Sequence, residues 1–162
     1  VNNAGILKVG LYNELSSADF QEILQINVIA PFKIISGVVE SMKQKKFGRI
    51  INISSIWGQK SREGRSIYSS SKAALDALTK SLALEFASYN VLINSVAPGY
   101  VDTELITKYN TDLELEKIKK TIPMQRFAKK NEISDLVKFL CLEDNSYITG
   151  QIITIDGGFV CK

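Results

Sequence analysis

Two short runs dominated by β-branched and small apolar residues, Arg49 to Ser55 with Ile50, Ile51 and Ile53, and Val91 to Ala97, flank one long helical stretch from about Ile67 to Ser88. Near-continuous apolar runs of this length suit strands buried on both faces. A helix of five or six turns between two such strands is the mark of a crossover, so the strands are predicted to be parallel and linked right-handedly.

The alternation extends outward in both directions. Val1 to Gly5 reads as the tail of a strand turning into a loop, because Asn-Asn-Ala-Gly supplies turn formers and a small residue at the bend. Asp19 to about Lys46 has apolar residues at three- and four-residue steps, from Phe20 and Ile23 to Val39 and Met42, and reads as one long helix. Pro31 removes a donor in its middle, which predicts a bend or a two-part helix. Beyond the second strand, Pro98-Gly99 stops the run, and the polar segment Asp102 to about Thr121 is expected to hold a short mobile helix around Leu113 to Lys119. A helix over Glu132 to Leu142 and a strand over Ile152 to Ile155 complete the pattern. The fold class is α/β, a parallel sheet covered by helices.

Composition excludes several kinds of chemistry. There is no histidine, and the two cysteines, Cys141 and Cys161, form no C-x-x-C pair. Histidine metal sites, Ser-His-Asp triads and Cys-His pairs are therefore ruled out, and no metal is expected. The net charge of +3 comes from 20 basic and 17 acidic residues mixed along the chain, without the extended basic stripe of a nucleic-acid binder. With no apolar run approaching the roughly 20 residues of a bilayer span, no membrane partner is expected. A cytoplasmic location follows as the expectation. A length of 162 residues and an apolar fraction of 45% suit a single domain with a substantial core.

Ligands of parallel sheets bind beyond the carboxyl ends of the strands, which is where Ser54-Ser55 and Pro98-Gly99 fall. At the start of the next helix stand Tyr68 and Lys72, four residues apart and so on one helical face, with Ser55 approaching from the strand end. A free phenol has a pKa near about 10, too high for an efficient base near neutrality, and a nearby cation favours the phenolate. Tyr68 is thereby a candidate proton-transfer group and Lys72 its electrostatic partner. The Ser55 hydroxyl would hold the same substrate oxygen, an arrangement worth on the order of 3 kcal/mol in comparable oxyanion sites. None of the three moves a hydride, so redox chemistry here requires a cofactor. A tyrosine and a lysine one turn apart are also a common snorkelling surface pair, and Ser69 to Ser71 serve equally as a helix start.

Asn3-Ala4-Gly5, Asn27, Ser55, Tyr68-x-x-x-Lys72 and Pro98-Gly99-x-x-x-Thr103 occur in the order and approximate spacing of the classical short-chain dehydrogenase/reductase family, which the chain resembles over nearly its whole length. Gly150-Gln151-Ile152 to Asp156-Gly157-Gly158 is similar to that family's C-terminus. Within the family the pattern looks most like 3-oxoacyl-acyl-carrier-protein reductase and related sugar and alcohol dehydrogenases. The resemblance implies an incomplete Rossmann-like doubly wound parallel sheet with helices on both faces. It implies Tyr68 as acid/base, Lys72 lowering its pKa and binding the nicotinamide ribose, Ser55 orienting the substrate oxygen, and Asn27 interrupting its helix to hold a relay water. Asn3, Ala4 and Gly5 would lie beside the adenosine ribose. Pro98, Gly99, Val101 and Thr103 would wrap the nicotinamide.

The cofactor implied is NAD or NADP, with NADPH favoured, and the partners are a small-molecule carbonyl or alcohol substrate and further copies of the chain in a homodimer or homotetramer. Trp57, Gln59, Arg62, Glu63 and Tyr100 are candidates for substrate selection, with Glu104 to Arg126 able to close over the site. Arg62 is a candidate reader of an anionic group, and equally a solvent-facing arginine.

The family begins with a strand, a glycine-rich turn and a helix that receives the pyrophosphate, and this sequence has no T-G-x-x-x-G-x-G stretch. Residues 1–162 are therefore expected to be the C-terminal two-thirds of one such domain, lacking the first strands and glycine-rich loop. The alternative is a truncated or catalytically silent scaffold acting through oligomerisation.

Overall fold

The computed structural model describes residues 1–108 and 110–161. Among them the elements are α1 (Ser17–Leu24), a π-turn (Gln25–Ile29), α2 (Ala30–Gln44), β1 (Gly48–Ile53), α3 (Ser66–Phe86), β2 (Val91–Pro98), α4 (Glu104–Lys108), α5 (Asp112–Thr121), α6 (Lys130–Cys141) and β3 (Ile152–Ile155). The three strands form one parallel sheet in the order β1-β2-β3, with Ile50 opposite Ile93 and Val96 opposite Ile153. Asn2 bridges to Asn52 on the outer side of β1, so the first residues run alongside the sheet as an isolated contact and not as a full strand.

Successive strand residues face opposite ways, and the core divides accordingly. Ile50, Val91 and Ile93 pack with Ile35 of α2 and Leu82 and Ala83 of α3 on one face. Ile51 and Val96 pack with Leu140 of α6, backed by Ile133, Leu136 and Val137, on the other. The sheet is covered on both faces: an incomplete, doubly wound, Rossmann-like α/β fold.

The long first helix is interrupted in the turn that carries Asn27, and not at Pro31. The irregularity lies before Pro31: the amide of Ala30 bonds to the carbonyl of Gln25, five residues back, and Pro31 then sits in the first turn of α2, where its missing donor is harmless. Ser17–Gln44 is, by length and composition alone, long and apolar enough to cross a membrane, which corrects the expectation that no run approached that length. Here α1 and the π-turn pack against α3, and α2 packs against β1 and β2. The polar segment after β2 holds two helices, α4 and α5, in place of the one expected.

Beyond β2 the chain bends at Gly99, whose position leaves no room for a side chain: a Cβ there would lie 2.7 Å from the Asp156 Cβ and 2.9 Å from its Cα. The carboxylate of Asp156 accepts from the amides of Gly158 (2.9 Å) and Val160 (2.8 Å), tying the C-terminal turn to this bend. Asn94 performs a similar task within β2, donating to the Ile148 carbonyl (2.7 Å) and accepting from the Gln151 amide (3.0 Å) to fix the approach to β3.

Candidate active site

β1 delivers Ser54 and Ser55, both buried, to the carboxyl edge of the sheet. The Ser55 hydroxyl accepts from the Trp57 amide (3.3 Å) and so starts a short 3-10 turn, Ile56–Gly58, that lies against α3. An exposed connection then leads to Ser66. From there Tyr68 and Lys72 lie one turn apart on the face of α3 that looks back at Ser55. Ser55, Tyr68 and Lys72 line one cavity of about 600 Å³, together with Asn3, Gly5, Pro98, Gly99, Val101 and Thr103.

Lys72 is only 4% exposed, and its ammonium donates to the Ile53 carbonyl at 2.8 Å. It lies 5.8 Å from the centroid of the Tyr68 ring. Burial lowers its pKa to about 8, against a smaller opposite pull from Asp76. Burial also dominates at Tyr68 and pushes its phenol above the usual value, while the nearby Ser55 hydroxyl and the Arg65 guanidinium pull it down. Desolvation is thus the largest influence on this phenol, and the opposing charge effect comes from Arg65, three residues earlier.

Asn27 is fully buried at the π-turn. Its side-chain oxygen accepts from the Ile6 amide (2.9 Å), while its amide nitrogen donates to the Ile6 carbonyl and to the Ser71 hydroxyl, both at 3.0 Å. It therefore clamps the segment after Gly5 to the helix bearing Tyr68 and Lys72. A Cβ on Gly5 would lie 3.3 Å from Asn27 Oδ1 and 3.5 Å from Lys72 Nζ, so the backbone passes close over both. Neither Asn27 nor Ala4 is on the cavity wall, and Ala4 is exposed.

Of the residues proposed to select substrate, Trp57, Arg62 and Tyr100 line the cavity, whereas Gln59 and Glu63 do not. Gln59 instead meets the Thr154 hydroxyl at 3.1 Å. The Thr103 hydroxyl donates to the Val101 carbonyl (3.3 Å), and from the segment after β2 Ile106 and Ile118 add apolar lining and Asn110 a polar residue. Among the described residues no cluster of side chains could hold a metal ion.

The family model described as enoyl-(acyl carrier protein) reductase matches residues 1–160. The chain belongs to the short-chain dehydrogenase/reductase family. It is 40% identical over 158 residues to the 3-oxoacyl-[acyl-carrier-protein] reductase FabG of Aquifex aeolicus, a match that covers 98% of this chain and 63% of that protein. Among solved structures it is similar to a 4-hydroxyisoleucine dehydrogenase mutant complexed with NADH and succinate (TM-score 0.94, 31% identity, 99% of this chain and 67% of that one). It is similar also to ElxO with NADP bound (TM-score 0.92, 35% identity, 99% and 66%). The chain thus spans less than two-thirds of the length of the curated relatives it matches.

Two residues of this short-chain dehydrogenase/reductase site escaped the sequence reading. Arg65 lines the cavity beside Tyr68, and Asp76 is buried one turn beyond Lys72. The signal for Asp76 was present in the spacing, because Tyr68, Lys72 and Asp76 form one stripe at four-residue steps. Burial raises the Asp76 pKa, and the Ser54 and Ser95 hydroxyls, followed by Lys72 and Lys80, oppose that rise.

Proposed function

We propose that the protein is a nicotinamide-dependent oxidoreductase that interconverts a carbonyl compound and the corresponding alcohol, with Tyr68 as its general acid/base. The observation that carries this reading is the convergence of Ser55, Tyr68 and Lys72 on one cavity that Pro98, Gly99, Val101 and Thr103 also line. Family membership supports it. So do similar proteins whose structures hold NADH or NADP.

The residues present fit the nicotinamide end of such a cofactor. Pro98, Gly99, Val101 and Thr103 supply a close-approaching backbone and a hydroxyl, Asn3 and Gly5 line the same cavity, and the Lys72 ammonium stands nearby. A cradle for the pyrophosphate is not among the described residues. When bound, the nicotinamide supplies the hydride. NAD and NADP both remain candidates, with NADPH favoured.

The chain's own residues handle the substrate oxygen and its proton. The Ser55 hydroxyl, at the end of β1, donates to the carbonyl oxygen and fixes it against Tyr68. With its pKa raised by burial, the Tyr68 phenol is protonated at neutral pH and is set to give that proton to the alkoxide as it develops; alcohol oxidation runs the transfer backwards. Lys72, held by the Ile53 carbonyl, places a positive charge beside the phenolate left behind. Exposed Phe32, Ile34 and Leu84 on α2 and α3 are the surface proposed to receive a second copy of the chain.

The test is Tyr68→Phe in the full-length protein, assayed with NADPH and NADH against a panel of ketones and secondary alcohols. A fall in kcat of about a hundredfold or more is expected, and unchanged turnover would exclude the assigned role.

A further inference from the structure

We propose that the end of the cavity built by the connection between Ser55 and Tyr68 is an oxyanion subsite, so that the compound taken there carries a carboxylate or phosphate held by Arg62 and Arg65. The proposal rests on the oxidoreductase reading above and specifies its substrate class.

The first observation is one of charge. The cavity lining includes Arg62, Arg65, Lys72 and Lys130, and not one aspartate or glutamate. Lys130 comes from α6, across the sheet, and Lys72 is engaged with the Ile53 carbonyl. The two arginines both belong to the connection that ends at Tyr68, so their positive field falls beside the reacting oxygen. That field favours a ligand of opposite sign, and it is screened less at half-buried Arg65 than at exposed Arg62.

The second observation is the way Arg62 is held. Its guanidinium stands over the Trp57 ring, 5.8 Å from the centroid, and one nitrogen donates to the Tyr100 hydroxyl at 3.3 Å. Trp57 and Tyr100 are themselves locked edge to face with Phe159, at centroid separations of 5.9 and 5.5 Å. Among the described residues no carboxylate pairs with Arg62 within 4 Å. A guanidinium has five donors in a rigid fork, and stacking plus one bond to a phenol leaves most of them for a planar or tetrahedral oxyanion. Arg65 lies deeper, half-buried on the cavity wall and near enough for its charge to act on the Tyr68 phenol. Arg62 at the mouth and Arg65 inside therefore bracket one end of the substrate.

The experiment compares matched pairs in the full-length protein with NADPH and NADH: acetoacetate with acetoacetamide, and dihydroxyacetone phosphate with dihydroxyacetone. At least one anion is expected to exceed its neutral partner in kcat/KM by about tenfold or more, and the favoured pair identifies the oxyanion as carboxylate or phosphate. Arg62→Gln and Arg65→Gln should each move that ratio toward one, chiefly through the KM of the anion. Trp57, the only tryptophan in the sequence, gives a second readout in fluorescence quenching by each compound. Turnover without preference for an anion, or a preference that survives both substitutions, overturns the subsite and leaves the oxidoreductase reading standing. Absence of turnover with saturable quenching by an anion, weakened by Arg62→Gln, upholds the subsite and tells against the oxidoreductase reading. Absence of both turnover and charge-selective quenching overturns the proposal. Arg62 is exposed, so its substitution keeps the test decisive if Arg65→Gln fails to fold.

Discussion

The Lys72 ammonium donates to the carbonyl of Ile53, the last residue of β1, at 2.8 Å. The bond joins helix α3 to the strand end that carries Ser54 and Ser55, so the cation's position is set by the sheet and not by the flexible stem of its side chain. It also explains how a lysine can be 4% exposed without a carboxylate bonded to it: the strand-end carbonyl supplies an acceptor that the strand ladder leaves free.

That burial has a measurable pH signature. The folded-state pKa of Lys72 is depressed by burial to about 8 from the ordinary lysine value of 10.5. Below about 8 both the folded and the unfolded chain hold the proton, and the folded state bears the full cost of an enclosed charge. Between about 8 and 10.5 the folded state sheds its proton first, so this contribution to stability rises with pH. In the full-length protein the stability difference between wild type and Lys72→Met, measured by denaturant unfolding from pH 7 to 10, should shift in favour of wild type as pH rises. A difference independent of pH would show that the ammonium is not desolvated.

Asn27 is expected to matter for stability before it matters for chemistry. Its side chain satisfies the amide and carbonyl of Ile6 and reaches the Ser71 hydroxyl, all without leaving the interior. Asn27→Ala removes the partners of the Ile6 amide and carbonyl, at a cost of about 1–3 kcal/mol, while the Ser71 hydroxyl keeps its bond to the Tyr68 carbonyl (2.8 Å). Chemical denaturation of the full-length protein measures the loss, and hydrogen exchange should show the Ile6 amide losing protection. An Ile6 amide protected as in the wild type would place the clamp elsewhere.

The strands, their parallel pairing and the helices between them were legible because each has a period and a terminator: Ile50 to Ile53 and Val91 to Ala97 could hardly be anything else. Spacing made Ser55, Tyr68 and Lys72 a candidate constellation at a strand end and on one helical face, and the resemblance to the short-chain dehydrogenase/reductase family set it apart from a surface pair. The interruption at Asn27 was legible only through the family resemblance, since five-residue bonding leaves no distinctive composition, and by composition alone Pro31 drew the expected break to itself. The balance of forces on Tyr68 was hidden for another reason. Desolvation depends on what surrounds the phenol from several elements at once, and a four-residue spacing to Lys72 carries no information about it.

Gly58 shows how closely the turn after Ser55 sits on α3. A Cβ there would lie 2.8 Å from Asp76 Oδ2, 3.0 Å from the carbonyl carbon of Lys72 and 3.2 Å from the Ala73 nitrogen. Two of those neighbours are helical backbone and cannot yield. Gly58→Ala should therefore lift the turn and displace Ser55 from Tyr68, with an overpacking cost of about 1–3 kcal/mol. The expected outcome in the full-length protein is a lower melting temperature together with a fall in kcat larger than any change in KM; a variant of wild-type stability and turnover would contradict the close packing.

Asp76 carries the sharpest opposing test of the buried stripe. Both its carboxylate oxygens are enclosed and lack a hydrogen bond of good geometry among the described residues: the Ser54 hydroxyl is directed at the Lys72 carbonyl (3.5 Å), and that of Ser95 is shared with Thr79 (2.8 Å). Burial raises its pKa above the ordinary aspartate value of 3.8, so the folded state holds its proton to higher pH than the unfolded state does. Its unfavourable contribution is absent below the unfolded value, grows as pH rises from the unfolded to the folded value, and is complete above the folded value. Asp76→Asn should consequently stabilise the full-length protein at pH 7, with a gain that shrinks on acidification toward pH 4. The same substitution removes the charge that supports the Lys72 ammonium, so Lys72 should titrate below its present value of about 8. Nitrogen-detected NMR of the lysine side chains reads that shift directly. Stabilisation without any change in Lys72 would mean that the two groups, one helical turn apart, do not sense each other.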